Sequence, residues 1–279
     1  MVYEVKQPET VAGLFAGWQE TMIWSCLQNV MGQLYAVSGD GPAVRGETVA
    51  GGCAENAGMS GHPGLPSAAM ALLGDFCFFA GQPDRELTEY GPPWRRQDFL
   101  ILVPQTPAWG EMIRECYGSR AKKVTRYAIR KEPDVFDEAV LMRMARELPG
   151  GYQLRQIDEE LFRRCLEIPW CRDLVAQYRD YAQYREYGLG MVILRDGEIV
   201  SGAGSYSGYR GGIEIEVDTK AEYRRRGLAG ACCARLILEC RKRGWYASWD
   251  AQNLWSVALA QKLGYHPDHE YVCYEIRRD

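Results

Sequence analysis

The stretch "IEIEVDTKAEYRRRGLAGACCARLI", residues 213–237, decides the fold of this chain. Its first seven residues alternate between apolar and polar side chains, which predicts a β-strand with one buried face. Three arginines and Gly227 come next, and apolar residues then recur at helical spacing as far as Cys240. The sequence therefore predicts a strand, a basic turn and a helix in direct succession.

The basic turn has the features of an anion-binding site. The first amide groups of a helix have no partners within the helix, and the helix dipole favours negative charge there. Gly227 has no Cβ and lets a ligand approach the backbone, while Ala229 and Gly230 keep the first turn narrow. The arginines at 224–226 add positive charge. An exposed basic turn is the alternative, and the glycine spacing between strand and helix favours the anion site.

The composition restricts the partners of such a site. The chain has 279 residues, of which 47% are apolar, and it carries a net charge of −4 with an isoelectric point near 5.6. This length suits two globular domains, and the acidic balance argues against nucleic acid as a partner. The sequence contains no P-loop motif. The segment "GAGSYSG" at 202–208 predicts a turn rather than a dinucleotide-binding loop, because its third glycine is one place late.

Neither a metal site nor a membrane segment is expected. The three histidines, His62, His266 and His269, lie in predicted loops or turns. The ten cysteines form no CxxC pair and no disulfide pattern, which indicates a reducing cytoplasm. The most apolar run, "AAMALLGDFCFFAG", is too short to span a bilayer and contains Asp75. The first residues lack the pattern of a signal peptide.

The pattern along the chain predicts two domains. Residues 1–132 predict a small α+β domain, with a first helix at 9–30 and a glycine-rich segment at 39–66. That segment is interpreted as an inserted surface loop, with a substrate lid as the alternative. Residues 133–150 predict a helical connector. Residues 151–279 predict a second domain, in which an Asp-Gly pair marks a hairpin.

Two motifs in the second domain resemble a known family. Arg224-x-x-Gly227-x-Ala229 matches the [QR]xxGx[GA] signature of the GCN5-related N-acetyltransferase (GNAT) superfamily. Downstream, "NLWSVALAQKLGY" at 253–265 resembles the second cofactor element of the same superfamily, in the expected order. The superfamily resemblance covers 151–279. The long N-terminal part and "SWDAQNLWSVALAQKLGY" resemble the two-part branch that includes zwittermicin-resistance-type acetyltransferases.

The resemblance implies an α/β (α+β) fold class: a C-terminal GNAT fold with a mixed, splayed central sheet flanked by helices, plus a smaller N-terminal α+β domain. It implies acetyl-CoA (coenzyme A) as co-substrate, no metal, and transfer of an acetyl group to a primary amine of a small molecule by direct attack in a ternary complex. An antibiotic-like acceptor follows only by analogy with one branch member. The alternative is a catalytically silent acyl-CoA-binding or sensing protein. The sequence does not indicate an oligomeric state.

The resemblance also implies a set of cofactor contacts. The cofactor diphosphate is expected on the amides of 225–230, and the pantetheine arm beside the strand at Val217 and Thr219. A bulge near Val217 and Asp218 is expected to open the slot. Asn253 is expected to face the pantetheine, and its position also suits a helix N-cap. The predicted cofactor-binding residues are Val217, Asp218, Thr219, Arg224, Arg225, Arg226, Gly227, Leu228, Ala229, Gly230, Asn253 and Ser256.

Two carboxylates are the predicted catalytic groups. An amine must lose its proton when it attacks a thioester, and a carboxylate can accept that proton. Glu214 and Glu216 alternate with isoleucines on the predicted strand, so both face one side of it. Glu216 is favoured because it lies nearer the expected opening, and a solvated strand face is the alternative. Asp250 is a further candidate for substrate binding.

The usual proton donor of the resembled family is absent. Many members carry a tyrosine in the second element that protonates the departing thiolate, and the matching position here is Ala260. The proton is therefore expected from another group or from solvent. Tyr265, Tyr271 and Tyr274 lie nearby in the sequence, although most tyrosines in such strands are packing residues.

Overall fold

The computed structural model describes residues 1–38, 65–95 and 98–277. These residues form two β-sheets with helices on their faces, which confirms the predicted α/β fold class. The glycine-rich segment 39–66 lies outside the described residues except for its last two positions, so its interpretation as a surface loop stays a prediction. Pro66 already begins a strand.

The larger sheet has eight strands and draws them from both ends of the chain. In spatial order these are β1 (Val2–Glu4), β2 (Gln33–Ser38), β3 (Pro66–Leu73), β4 (Phe76–Gly81), β5 (Phe99–Pro104), β13 (Pro267–Arg277), β6 (Lys122–Ile129) and β12 (Asp250–Ala251). β4 and β5 are parallel, and the other neighbours are antiparallel. β3 and β4 are buried on both faces over most of their length, as their continuous apolar runs predict.

The final strand, β13, completes the sheet that the N-terminal residues build. It lies between β5 and β6, pairing Tyr274 with Leu102 on one side and Cys273 with Val124 on the other. The domain boundaries at 132 and 150 stay predictions, and the hydrogen bonding between strands crosses both of them.

The smaller sheet contains the strand of the deciding stretch. Its order is β11 (Tyr246–Ser248), β10 (Gly212–Thr219), β9 (Glu198–Tyr209), β8 (Met191–Arg195) and β7 (Tyr152–Gln156). β10 and β11 are parallel, and the other neighbours are antiparallel. Asp196 and Gly197 both have positive φ and turn the chain between β8 and β9, which confirms the hairpin predicted from the Asp-Gly pair.

Helices cover the sheets and supply much of the core. The described α-helices are α1 (Glu9–Ala12), α2 (Thr21–Leu27), α3 (Arg85–Glu89), α4 (Pro107–Tyr117), α5 (Glu138–Arg146), α6 (Glu159–Glu167), α7 (Tyr181–Tyr187), α8 (Leu228–Lys242) and α9 (Leu254–Leu263). Leu236, Cys232 and Cys240 of α8 are fully buried against the smaller sheet. All cysteines in the described residues are free. None of the helices in the described part of the chain has the length and apolar character needed to span a bilayer.

The predicted continuous helix at 9–30 is wrong. The helical turns end at Phe15, Ala16 is already extended, Gly17 has a φ of +79°, and the helix resumes as α2 at Thr21. The interruption brings Trp18 edge-on against Phe78 of β4, with ring centres 5.7 Å apart. Tertiary packing of this aromatic pair therefore overrides the helical spacing of the sequence.

The predicted turn at 202–208 is also wrong, because these residues lie in the middle of β9. The glycines allow close packing instead of reversing the chain. A Cβ on Gly208 would overlap the carbonyl oxygen of Tyr187, and one on Gly204 would lie 2.5 Å from that of Leu174. The glycines that β9 needs for close packing are spaced like those of a loop motif, and this spacing led to the wrong prediction of a turn.

Replacing Gly208 with alanine should lower the free energy of unfolding by about 1–3 kcal/mol, because the added methyl group meets backbone atoms that cannot rotate away. Gly13→Ala is the matched control, since nothing lies within 4 Å of its added Cβ and its φ is helical. Urea unfolding followed by circular dichroism measures both variants. Unchanged stability of Gly208→Ala would contradict the packing described for β9.

Candidate active site

A cleft of about 780 Å³ opens where β10 leaves its neighbour. One end is lined by the end of β10, by the basic turn before α8 and by the start of α9. The other end is lined by residues from the N-terminal part of the chain, among them Asp75, Phe76, Phe99 and Ile101. Distant parts of the sequence therefore meet in one cleft, whose size is typical of small-molecule sites.

The cleft exists because β10 loses one of its two neighbours. β10 pairs with β11 only from Gly212 to Glu214, but it pairs with β9 as far as Thr219. The chain that follows β11 forms β12, which pairs with β6 in the larger sheet. The edge of β10 from Ile215 onward therefore faces the cleft, and the predicted splayed sheet is confirmed.

The bulge lies at a different position from the one expected. The register between β10 and β9 shifts between Glu214 and Ile215, whose partners on β9 are not consecutive. Tyr206 is the additional residue, so the bulge is on β9. The expectation of a bulge near Val217 and Asp218 is therefore wrong, since the pattern of β10 alone carries no sign of an extra residue on its partner.

The turn before α8 presents backbone amides to the cleft. Arg225 and Gly227 have φ values of 62° and 80°, and these two left-handed residues reverse the chain before the helix. Residues 228–230, the first of α8, line the cleft. No described side chain caps this end of α8. The first amides of the helix are therefore available to an anion.

The three arginines of the turn take different positions. Arg224 donates from Nε to the carbonyl oxygen of Thr219 at 3.0 Å and lines the cleft. Arg225 also lines the cleft, and its guanidinium has no hydrogen-bond or ion-pair partner among the described residues. The guanidinium of Arg226 instead stacks 5.1 Å from the centre of the Tyr223 ring, outside the cleft lining. Only two of the three arginine side chains therefore contribute charge to the cleft.

The start of α9 forms the opposite wall. Asn253 Oδ1 accepts hydrogen bonds from the amides of Trp255 and Ser256, both at 3.0 Å, which confirms its role as N-cap. Ser256 Oγ accepts a hydrogen bond from Trp249 Nε1 at 3.0 Å. Trp255 is 80% exposed and presents an apolar face at the mouth of the cleft. Contact of these residues with a cofactor stays a prediction.

The structure separates the two carboxylates predicted to be catalytic. Glu214 is buried, and its Oε2 accepts a hydrogen bond from the hydroxyl of Thr21 on α2. Glu216 lines the cleft and forms no ion pair with a described residue. Burial, together with the charges of Asp173 and Asp218, raises the pKa of Glu216 to about 8. Glu216 can therefore exchange a proton near neutral pH, whereas Glu214 lies outside the cleft lining.

Asp75 and Asp173 also line the end of the cleft away from α8, and sequence reasoning did not identify them as site residues. Asp75 lies in the turn between β3 and β4, where burial raises its pKa to about 6. Asp173 lies in the short 3-10 helix Pro169–Leu174. A single acidic residue inside the apolar run 68–81 was a usable signal for Asp75, and no sequence signal marked Asp173. Within the described residues, no group of His, Cys, Asp and Glu side chains is arranged to hold a metal ion.

Asp250 belongs to a buried contact that forms a wall of the cleft. The Nε atom of Arg126 donates to Asp250 Oδ1 at 2.7 Å, and the hydroxyl of Tyr271 donates to Oδ2 at 2.7 Å. The Arg126 and Asp250 side chains are 12% and 5% exposed. Phe76 packs against the guanidinium of Arg126 at 5.0 Å. Both oxygens of Asp250 are therefore engaged within the protein.

Of the three tyrosines considered as proton donors, Tyr265 and Tyr271 donate hydrogen bonds within the protein, and Tyr274 packs against α4. Tyr265 donates to the carbonyl oxygen of Ala247 at 2.6 Å, Tyr271 donates to Asp250, and Tyr274 lies against Gly110. Their hydroxyls lie outside the cleft lining. The packing interpretation is therefore the one that the structure supports for all three residues.

Comparison with known proteins identifies the family. The sequence model of the GNAT acetyltransferase family matches residues 60–274. The chain therefore belongs to the GNAT acetyltransferase family, and the resemblance carried by the two motifs is confirmed. The assignment to the zwittermicin-resistance-type branch stays a prediction.

Three similar proteins illustrate this relationship. The chain is 42% identical to a GCN5-related N-acetyltransferase-like protein from Streptococcus suis, with a TM-score of 0.82 over 98% of this chain and 99% of that one. A Drosophila protein of 14% identity shares the fold, with a TM-score of 0.58 over 99% of this chain and 98% of that one. The uncharacterized N-acetyltransferase YdfB of Bacillus subtilis is 27% identical over 181 residues, which are 63% of this chain and 65% of that relative.

Replacing Asp250 with asparagine should lower the free energy of unfolding by about 3–5 kcal/mol, because the buried guanidinium of Arg126 then lacks a counter-charge. The double variant Arg126→Gln/Asp250→Asn should recover part of this loss, since neither charge remains. Chemical unfolding of the two variants and the wild-type protein measures the difference. If Asp250→Asn were as stable as the wild type, the contact between Arg126 and Asp250 would not stabilise this wall of the cleft.

Proposed function

We propose that this protein is an acetyl-CoA-dependent N-acetyltransferase that acetylates a primary amine of a small molecule by direct attack in a ternary complex. One observation carries the proposal. A single cleft joins the uncapped amides of α8 to Glu216, a carboxylate without a basic partner, along the free edge of β10. Membership of the GNAT acetyltransferase family supports the same activity.

The cofactor would bind along the α8 end of the cleft. The amides of 228–230 are available to the diphosphate, and the unpaired guanidinium of Arg225 supplies a positive charge beside them. The pantetheine arm would lie along the free edge of β10, where no strand pairs the backbone of Val217 on that side. At Thr219 the amide already donates to Asp218 Oδ1 at 2.6 Å and the carbonyl oxygen accepts from Arg224 Nε, so Val217 offers the more accessible backbone groups. The exposed ring of Trp255 gives this arm an apolar surface.

Glu216 is the proposed general base. The amine nitrogen attacks the thioester carbonyl carbon, its proton passes to Glu216, and the carbon–sulfur bond breaks as the carbon–nitrogen bond forms. We assign a backbone amide near Val217 as the donor to the thioester oxygen. The thiolate takes its proton from solvent, because Ala260 stands where the resembled family carries a tyrosine and is itself fully buried.

The acceptor would occupy the other end of the cleft. Asp75, Asp173 and Glu216 line this end with carboxyl groups, which can form charge-assisted hydrogen bonds with a cationic amine. Phe76 and Phe99 from the larger sheet add apolar surface for its body. The presence of Asp75, Phe76 and Phe99 in the cleft lining therefore supports our proposal that the N-terminal part of the chain shapes the acceptor side. The free cysteines support a cytoplasmic location, where thiols stay reduced.

The arginine positions test the cofactor site. Arg225→Glu should weaken coenzyme A binding at least about tenfold, which corresponds to about 1.4 kcal/mol, because it places an anion beside the diphosphate. Arg226→Glu is the matched control and should have a smaller effect, since its guanidinium lies on Tyr223. Calorimetric titration with coenzyme A measures both. A larger loss in Arg226→Glu than in Arg225→Glu would contradict the proposed position of the diphosphate.

The role of Glu216 is tested by activity. Glu216→Gln should lower kcat by about 10²–10⁴-fold, the usual contribution of a general base. The KM for acetyl-CoA should change little, because this side chain lies beyond the cofactor end. The rise of kcat/KM near pH 8 in the wild type should also disappear in the variant, since the proton acceptor with that pKa is gone. Release of free thiol from acetyl-CoA measures these rates, and an unchanged kcat would exclude Glu216 as the base.

Ala260 favours a second candidate, a catalytically silent acyl-CoA-binding or sensing protein. The absence of a hydroxyl at this buried position removes the proton donor of the resembled family. A panel of simple amines, polyamines, aminoglycosides and peptides separates the two candidates. Coenzyme A binding without thiol release across the whole panel would support the sensor and overturn the transferase.

A further inference from the structure

A second cavity of about 680 Å³ lies beside the cleft. The contact between Arg126, Asp250 and Tyr271 divides the two spaces, since Arg126 and Asp250 line the cleft and Tyr271 lines the second cavity. Residues 16–20, before α2, form one wall of this second cavity, and the ends of β5 and β6 form another. We call it the Glu20 cavity.

Glu20 is the unusual residue of this cavity. It is 7% exposed, and no described residue lies within hydrogen-bond or ion-pair distance of its carboxyl group. Its backbone is extended at the position before α2, so the side chain is not part of a helix face. Buried polar groups in proteins almost always have partners, and an unpaired buried carboxylate is costly. A ligand that enters the cavity would supply the missing partner.

The charges around Glu20 favour a cation. Burial and the charge of Asp250 raise the pKa of Glu20 to about 8, and Lys131 lowers it without forming an ion pair. At the rim, Arg130 pairs with Asp268 at 3.7 Å and His266 pairs with Glu132 at 2.8 Å, whereas Lys131 also lines the cavity and forms no ion pair with a described residue. With a pKa of about 8, the carboxyl group of Glu20 is largely protonated at pH 7, and an ammonium group beside it would favour the ionised form, since no described residue forms an ion pair with it.

The walls of the cavity distinguish an organic cation from a metal ion. Trp18, Val103, Pro104 and Ile129 line it with apolar surface, which suits a hydrocarbon body. A metal ion needs several ligating side chains in one place, and the described residues contain no such group. The volume exceeds what a bare ion occupies and falls within the range of small-molecule sites.

We propose that the Glu20 cavity binds the primary ammonium group of a small organic amine. The ammonium donates hydrogen bonds to the carboxylate of Glu20, and the apolar body of the ligand lies along Trp18, Val103 and Ile129. The proposal concerns binding alone, so it stands or falls independently of acetyl transfer in the cleft.

Calorimetric titration of the full chain with n-hexylamine, without acetyl-CoA, tests the proposal. The wild-type protein should bind this amine saturably at millimolar concentrations and n-hexanol at least tenfold more weakly, because the alcohol carries no charge. Glu20→Gln should weaken amine binding at least tenfold. Glu132→Gln is the matched control and should bind within twofold of the wild type, since Glu132 already pairs with His266 at the rim.

Two results would overturn the proposal. Equal affinity of the wild type and Glu20→Gln for n-hexylamine would show that Glu20 does not hold the ammonium. Loss of binding in Glu216→Gln but not in Glu20→Gln would place the amine in the cleft instead. The comparison of n-hexylamine with n-hexanol uses the wild-type protein alone, so it remains available if Glu20→Gln fails to fold. Equal binding of the two compounds to the wild type, or no binding of either, would also refute the proposal.

Discussion

The departure of β10 from β11 after Glu214 is the constraint on which the rest of the site depends. As far as that residue the two strands belong to one sheet, and beyond it the chain that follows β11 joins the larger sheet through β6. β10 keeps its pairing with β9, so it stays rigid while its other edge is open. Backbone groups on an open, partly buried edge require partners, and a ligand that runs along the strand can provide them. The same strand leads directly into the basic turn, which brings the amides of α8 to the cleft.

The contact between Arg126, Asp250 and Tyr271 fixes the larger sheet against this opening. It connects β6, β12 and β13, and neither charge reaches bulk water freely. On its two sides lie Glu216 and Glu20, two carboxyl groups whose pKa burial raises to about 8. Both groups lack a basic partner among the described residues. In the two proposals above, a positively charged ligand in either of these neighbouring spaces would favour the ionised form of the carboxyl group.

The elements that carry local patterns were predictable, and those that depend on the meeting of distant segments were not. The strand, the turn and the helix of residues 213–237 follow from alternation, glycine and helical spacing, and the Asp196-Gly197 hairpin follows from its turn chemistry. The break at Gly17 escaped prediction because Trp18 packs on a strand far away in the sequence. The position of the bulge escaped prediction because the extra residue lies on β9. Asp173 and Glu20 escaped prediction because only tertiary folding brings them to the cleft and to the Glu20 cavity. Glu214 and Glu216 share a face of β10, but α2 covers only Glu214, through the hydrogen bond from Thr21.

A crystal structure of the protein with coenzyme A tests the central claim most directly. The account predicts density for the diphosphate against the amides of 228–230, close to the Arg225 guanidinium, with the pantetheine arm beside the open edge of β10 between Ile215 and Thr219. Coenzyme A bound elsewhere, or bound in the cleft with its diphosphate away from the start of α8, would contradict the account.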